Sequence, residues 1–179
     1  MTIAQRIKTA FERNEKALQL RPALGRKTAV TKVTVIDGLS CEISEGKWKI
    51  IADVGENRGG ADSGPNPGIL GRGALGSCLA IGYLMWAAKL EVPITRLEVE
   101  VQADMDVRGE YALAEVPAGY VAVRYLVTIT SPAPEAEIMR LLDRADAHSS
   151  FVDIFQRAQK MQRVVRLLRP GQEAEAGLT

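Results

Sequence analysis

The chain has 179 residues, enough for one domain with its own core, and its 46 % hydrophobic and 25 % charged composition is that of an ordinary globular protein. Its 23 basic and 22 acidic residues give a formal net charge of +1, which offers no electrostatic reason to expect nucleic acid as a partner. With 2 cysteines and 1 histidine, a disulfide scaffold, a zinc knuckle and a histidine-rich metal centre are excluded, so neither metal nor cofactor is expected.

The amino terminus, MTIAQRIKTAFERNEKALQL, is charged throughout and lacks the apolar core of a signal peptide. Ile3, Ile7, Phe11, Leu18 and Leu20 suit a helix that Pro22 closes, so residues 1–25 read as a helical arm. TAVTKVTVIDG, LSCEISE and KWKIIADV follow as three short antiparallel strands turning at Asp37-Gly38 and Glu45-Gly46. Trp48 and Ile50 alternate with Lys47 and Lys49, the pattern of a half-buried strand.

A turn-rich connector from Glu56 to Gly68 leads into a helix in which Pro67 occupies the first turn. Leu75, Leu79, Gly82, Tyr83, Trp86 and Leu90 form its buried stripe up to the Val92-Pro93 stop, and Cys78 shares that side. Gly71, Gly73 and Gly76 offer places where this helix is interrupted or where another backbone comes close. ITRLEVEVQADMDVRG and GYVAVRYLVTITS alternate as two strands around a Pro117–Gly119 turn. A helix opens at Pro134-Glu135 with Ile138, Leu141, Leu142 and Ala145 inward, SSFVDIFQRAQ adds a helical turn, and QRVVRLLRP suits either a last edge strand, the favoured reading, or more helix. Strands clustered around one long helix predict an α+β fold, antiparallel sheets about a central helix, with one domain over 26–170 and a disordered tail over 171–179. No run reaches the roughly 18 to 20 apolar residues of a membrane span, and a cytoplasmic setting is expected.

Cys78 carries the chemical question. A lone helical cysteine is either a small buried hydrophobe or a nucleophile, and the second role needs a cation or hydrogen-bond donors that hold a thiolate. Arg72 and Arg58 are the nearest basic residues before it in sequence and the candidates for that support. Cys41, between Ser40 and Glu42, is the one other thiol and the candidate to meet Cys78 across the fold or a dimer interface. RGGADSGPNPG lacks the lysine-serine ending of a phosphate loop and reads as a turn-rich connector. His148 beside Ser149 and Ser150 lacks the G-x-S-x-G elbow of a hydrolase. The basic RVVRLLRP end has no interleaved aromatic residues to stack bases and reads as a solvated face.

The stretch GGADSGPNPGILGRGALGSCLAIGYLMWAAKLEVPITRLEVEV, Gly59 to Val101, together with the later HSSFVDIF, resembles the OsmC/Ohr family, which includes thiol-dependent organic hydroperoxide reductases. The resemblance covers about Ala29 to Leu168. It implies an OsmC-like fold, an intertwined homodimer with the cysteines near the subunit interface, and Cys78 as the peroxidatic cysteine. Ser149 then stands where the peroxidases carry a resolving cysteine and Gly68 where they carry a glutamate, and no arginine lies near Ile36 and Asp37. Two functions follow as expectations. One is a thiol-dependent peroxidase in which Cys78 meets a small hydrophobic peroxide or other electrophile and is resolved by Cys41 or an external thiol reductant. The other is a homodimer that binds small molecules or serves a structural role without catalysis.

Overall fold

In the computed structural model, which describes residues 1–169, the chain forms α1 (Ile3–Leu20), β1 (Lys32–Asp37), β2 (Ser40–Glu45), β3 (Trp48–Ala52), α2 (Pro67–Leu90), β4 (Arg96–Met105), β5 (Tyr120–Thr130), α3 (Glu135–Asp146) and α4 (Ser150–Gln156). The fold is α+β, with two antiparallel sheets and a long central helix. The expected tail over 171–179 lies outside the described residues.

β1, β2 and β3 form a meander in which Val35 opposes Cys41 and Ile43 opposes Ile50, turning through Gly38 and Gly46. Among the described residues no helix packs extensively on this sheet. Trp48 and Ile50, expected to be half-buried, are therefore exposed, as are Val33 and Val35. The strand forms where its residues predict it, yet on the face that carries Trp48 and Ile50 only Ala52, at the strand's end, is buried.

The core lies between α2, α3 and the β4–β5 hairpin. Leu75, Leu79, Tyr83 and Ala87 of α2 close on Leu141 and Ala145 of α3, with Val99, Val101, Val123 and Val127 packed beneath. Gly71, Gly73 and Gly76 do not interrupt α2, which runs unbroken for 24 residues. Gly76 instead permits close packing, because a Cβ there would lie 3.2 Å from Val101 Cγ2. Contrary to the sequence expectation, α2 is long and apolar enough by length and composition to cross a membrane. Its buried stripe on the hairpin and α3 is the setting of a core helix.

The connector before α2 is organised by Asp53, which is 2 % exposed. Its carboxylate accepts from the Ser40 hydroxyl at 2.7 Å, the Ser63 hydroxyl at 2.8 Å and the backbone N–H groups of Val54, Ala61 and Ser63. Gly60 is needed in this tight loop, since a Cβ would sit 2.0 Å from the Val54 carbonyl oxygen. Gly60 thus serves chain packing.

α1 begins with a capping box between Thr2 and Gln5 and docks on the second half of α2. The Phe11 ring meets Trp86 edge-on at 5.1 Å, flanked by Lys89–Glu15 at 2.5 Å and Lys8–Glu91 at 2.7 Å. The expected last strand over 162–168 is absent from the described chain. A strand needs an edge to pair with, and this segment pairs with neither sheet, leaving Met161, Val164, Val165 and Leu167 exposed.

Candidate functional site

Cys78 lies eleven residues into α2, about three turns from its start. The opposite wall is the corner between α3 and α4. Ser149 caps α4, its oxygen accepting from the Val152 N–H at 3.3 Å, and this brings the hydroxyls of Ser149 and Ser150 each to 3.6 Å from the Cys78 sulfur. Burial alone would push the thiol up. The Ser150 hydroxyl, the Phe151 N–H, the Ser149 hydroxyl and the Ser150 N–H together outweigh burial, and the thiol falls below its ordinary value.

The sulfur opens into a cavity of about 420 Å³ lined by Phe11, Ile81, Gly82, Met85, Trp86, Ala145 and His148 beside the two serines. A Cβ added at Gly82, one turn beyond Cys78, would meet nothing within 4 Å, so the bare glycine leaves space beside the sulfur. His148 Nδ1 lies 2.8 Å from the Arg144 carbonyl oxygen, which requires this nitrogen to carry the proton. The Trp86 ring is held between Phe11, the His148 ring at 5.3 Å and the Arg144 guanidinium at 4.9 Å.

The remaining sequence-derived candidates lie elsewhere in the chain. Arg72 donates to the Tyr120 hydroxyl at 3.1 Å, and Tyr120 donates to the Gly68 carbonyl at 3.2 Å. Arg58 pairs with Glu110 and lies over the Tyr111 ring. Both arginines and Gly68 line a separate cavity of about 610 Å³ at the start of α2. Helix geometry accounts for the separation, because the six residues from Arg72 to Cys78 rotate a side chain by about 240°. Within this chain neither arginine lines the Cys78 cavity. Cys41 faces Val35 and Ala52 across its strand neighbours, its sulfur 3.8 Å from the Leu39 carbonyl oxygen, and both cysteines are free.

Of the predicted residues, the structure therefore brings Cys78 and Ser149 together and leaves Arg58, Arg72, Gly68 and Cys41 apart from them. Sequence reading missed the role of Ser150 and the backbone N–H groups beside it. The signal was faint: S-S before an apolar helical turn marks a cap, yet nothing local says which distant atom that cap faces. Phe11, sixty-seven residues before Cys78, was legible as an apolar position of the arm helix and carried no signal for the site.

Residues 59–162 match the family model described as OsmC-like protein. No curated protein sequence matches the chain significantly. Among solved structures, an OsmC-like protein from Mycoplasma pneumoniae superposes with a TM-score of 0.61 at 16 % identity, over 73 % of this chain and 88 % of that one. An OsmC-like protein from Vibrio cholerae gives 0.55 at 13 % identity, over 72 % and 93 %. An organic hydroperoxide resistance protein OsmC from Legionella pneumophila gives 0.52 at 14 % identity, over 73 % and 90 %. At such identities these likenesses are of fold. The family match spans more than half of the chain, and the chain belongs to the OsmC family.

Proposed function

We propose that the chain is a thiol-based redox protein of the cytoplasm that reduces organic hydroperoxides through Cys78. The observation that carries this reading is the ring of donors around the sulfur, two hydroxyls and two backbone N–H groups, which favours the thiolate. In the reaction the thiolate attacks the terminal peroxide oxygen. An S–O bond forms, the O–O bond breaks, and the departing alkoxide takes a proton to leave as an alcohol, while Cys78 becomes a sulfenic acid. An external thiol reductant then attacks that sulfur and water departs, giving a mixed disulfide. A second thiol releases Cys78, so two electrons pass from thiols to the peroxide. Ser149 stands where a thiol would have closed the cycle within the chain, and Cys41 lies in the first sheet, so the external route is the economical one. Arg58 and Arg72 would support the thiolate only from a second subunit.

We read residues 1–25 as an arm docked on one domain spanning 26–170, and the working unit as an intertwined homodimer. The chain exposes 14243 Å² of surface, where a compact monomer of this size exposes about 8,500 Å². The excess includes the exposed apolar residues of β1–β3, Leu84 of α2 and the 161–168 segment, surfaces that a second copy would cover. A second reading, a binding homodimer without catalysis, is favoured by one observation: the Cys78 cavity, as lined by the described residues, holds neither a guanidinium nor a second thiol.

The deciding experiment follows cumene hydroperoxide consumption with a dithiol reductant, for wild type and Cys78→Ser. Turnover that disappears in the variant supports the peroxidase. Turnover absent from wild type removes it and leaves the binding reading, and turnover retained in the variant removes Cys78 as the reacting group.

A further inference from the structure

We propose that Phe11 of α1 is a specificity-determining residue of the Cys78 cavity, selecting compounds that carry an aromatic or branched apolar body behind a small reactive head. The cavity is chemically polarised. Its polar groups are Ser149 and Ser150 beside the sulfur and His148 on the wall, while Phe11, Ile81, Met85 and Trp86 supply apolar walls. At about 420 Å³ it lies in the lower part of the size range of small-molecule sites, which combine apolar walls with a few convergent polar groups.

Phe11 differs from every other lining residue in origin. The others lie within residues 59–162, the family-matched region, whereas Phe11 arrives on a helix outside it. No residue of α1 is fully buried, so the helix is held at its perimeter. Phe11 meets Trp86 at 5.1 Å, and the Lys89 ammonium lies 5.4 Å from the Phe11 ring centroid while pairing with Glu15. Trp86 is in turn fixed by Arg144 and His148, so Phe11 abuts a rigid surface. A ligand bonded to or held at the sulfur would rest its apolar portion in the angle between the two rings, where aromatic contacts add to simple area burial.

The inference rests on Cys78 being the reacting atom, and not on what oxidises it. Its test is alkylation of Cys78 in the full chain by N-phenylmaleimide and by N-methylmaleimide, read by site-resolved mass spectrometry. The phenyl-to-methyl rate ratio is normalised to the same ratio for glutathione, which removes the reagents' intrinsic difference. In Phe11→Ala the normalised ratio is expected to fall about tenfold, and Phe11→Leu, which keeps an apolar wall, is expected to recover at least half of the loss on a logarithmic scale. A ratio within twofold of wild type in Phe11→Ala overturns the assignment, as does failure of either maleimide to modify Cys78. A shifted ratio in a protein that consumes no hydroperoxide would sink the peroxidase reading and leave the role of Phe11 standing.

Discussion

The Tyr83 hydroxyl donates to Asp146 Oδ1 at 2.6 Å, and five residues before Tyr83 on the same helix the Cys78 sulfur lies 3.6 Å from Ser149. These contacts tie two ends of one corner. Asp146 is the last residue of α3, and its second oxygen accepts from Tyr125 of β5 at 2.8 Å. Burial, reinforced by the Asp146 carboxylate, raises Tyr83 far above the usual phenol range and pushes Tyr125 up to about 12. Both phenols stay protonated donors at any physiological pH. The clamp sets where α3 ends and hence where the serines meet the sulfur.

Tyr83→Phe removes one donor from this clamp and leaves a carboxylate oxygen against a buried ring. The expected loss is about 1.5–3 kcal/mol, the range for a hydrogen bond to a charged group, measured by urea unfolding. Cys78 alkylation should also need a higher pH, because the serine corner is no longer held. Tyr125→Phe should cost less, since Tyr125 is partly exposed while Tyr83 is 1 % exposed.

Ser150→Ala tests the thiolate directly. Among the groups that lower the Cys78 thiol, the Ser150 hydroxyl has the largest effect. Removing it takes a donor from the charged form and leaves burial unchanged, so the titration of Cys78 must move to higher pH. Ultraviolet thiolate absorbance against pH reads the shift, with Cys41→Ser as background. An unmoved or lowered midpoint would deny Ser150 this role.

How much of this was legible follows from range. The three-strand meander, the long helix and the β4–β5 hairpin were readable because periodicity and turn residues act over a few positions, as in Trp48/Ile50 and Asp37-Gly38. Cys78 could be singled out by residue type and by resemblance. Its electrostatics could not, because its donors come from seventy residues away and two of them are backbone groups, which every sequence contains. Arg72 misled for the converse reason: near in sequence, it is turned away by the helix. The 161–168 segment carried a strand-like composition without a partner edge in the chain, and composition does not encode partners.

Asp53 predicts a pH dependence of stability. The hydroxyls of Ser40 and Ser63, opposed by burial and helped by the Val54 and Ser63 N–H groups, hold its carboxyl far below the usual carboxylate range. The folded value lies below the unfolded one, so folding favours the ionised form. That contribution is complete above the unfolded pKa of about 3.9 and is lost as pH falls from there through the folded value. Asp53→Asn should lower Tm at pH 7 and make Tm less sensitive to pH between about pH 5 and 3. A Tm–pH slope equal to that of wild type would show that another carboxylate dominates.

Ser149→Cys should convert an open cycle into a closed one. The Ser149 oxygen is 3.6 Å from the Cys78 sulfur, and a disulfide requires about 2.05 Å, so a thiol at 149 must approach by about 1.5 Å, which a rotamer change in a partly exposed corner can supply. After Cys78 becomes a sulfenic acid, the new thiol attacks its sulfur, an S–S bond forms and water leaves. One hydroperoxide should then consume both thiols, and intact mass should fall by two hydrogens instead of rising by one oxygen. The substitution also weakens the cap on the Val152 N–H, at a cost of about 1 kcal/mol, so a modest fall in Tm should accompany the gain. If the oxidised variant instead gains an oxygen with the thiol at 149 intact, the corner holds its two side chains apart when the sulfur is oxidised. Reduction of Cys78 would then still depend on an external thiol that enters the cavity lined by Phe11 and Trp86.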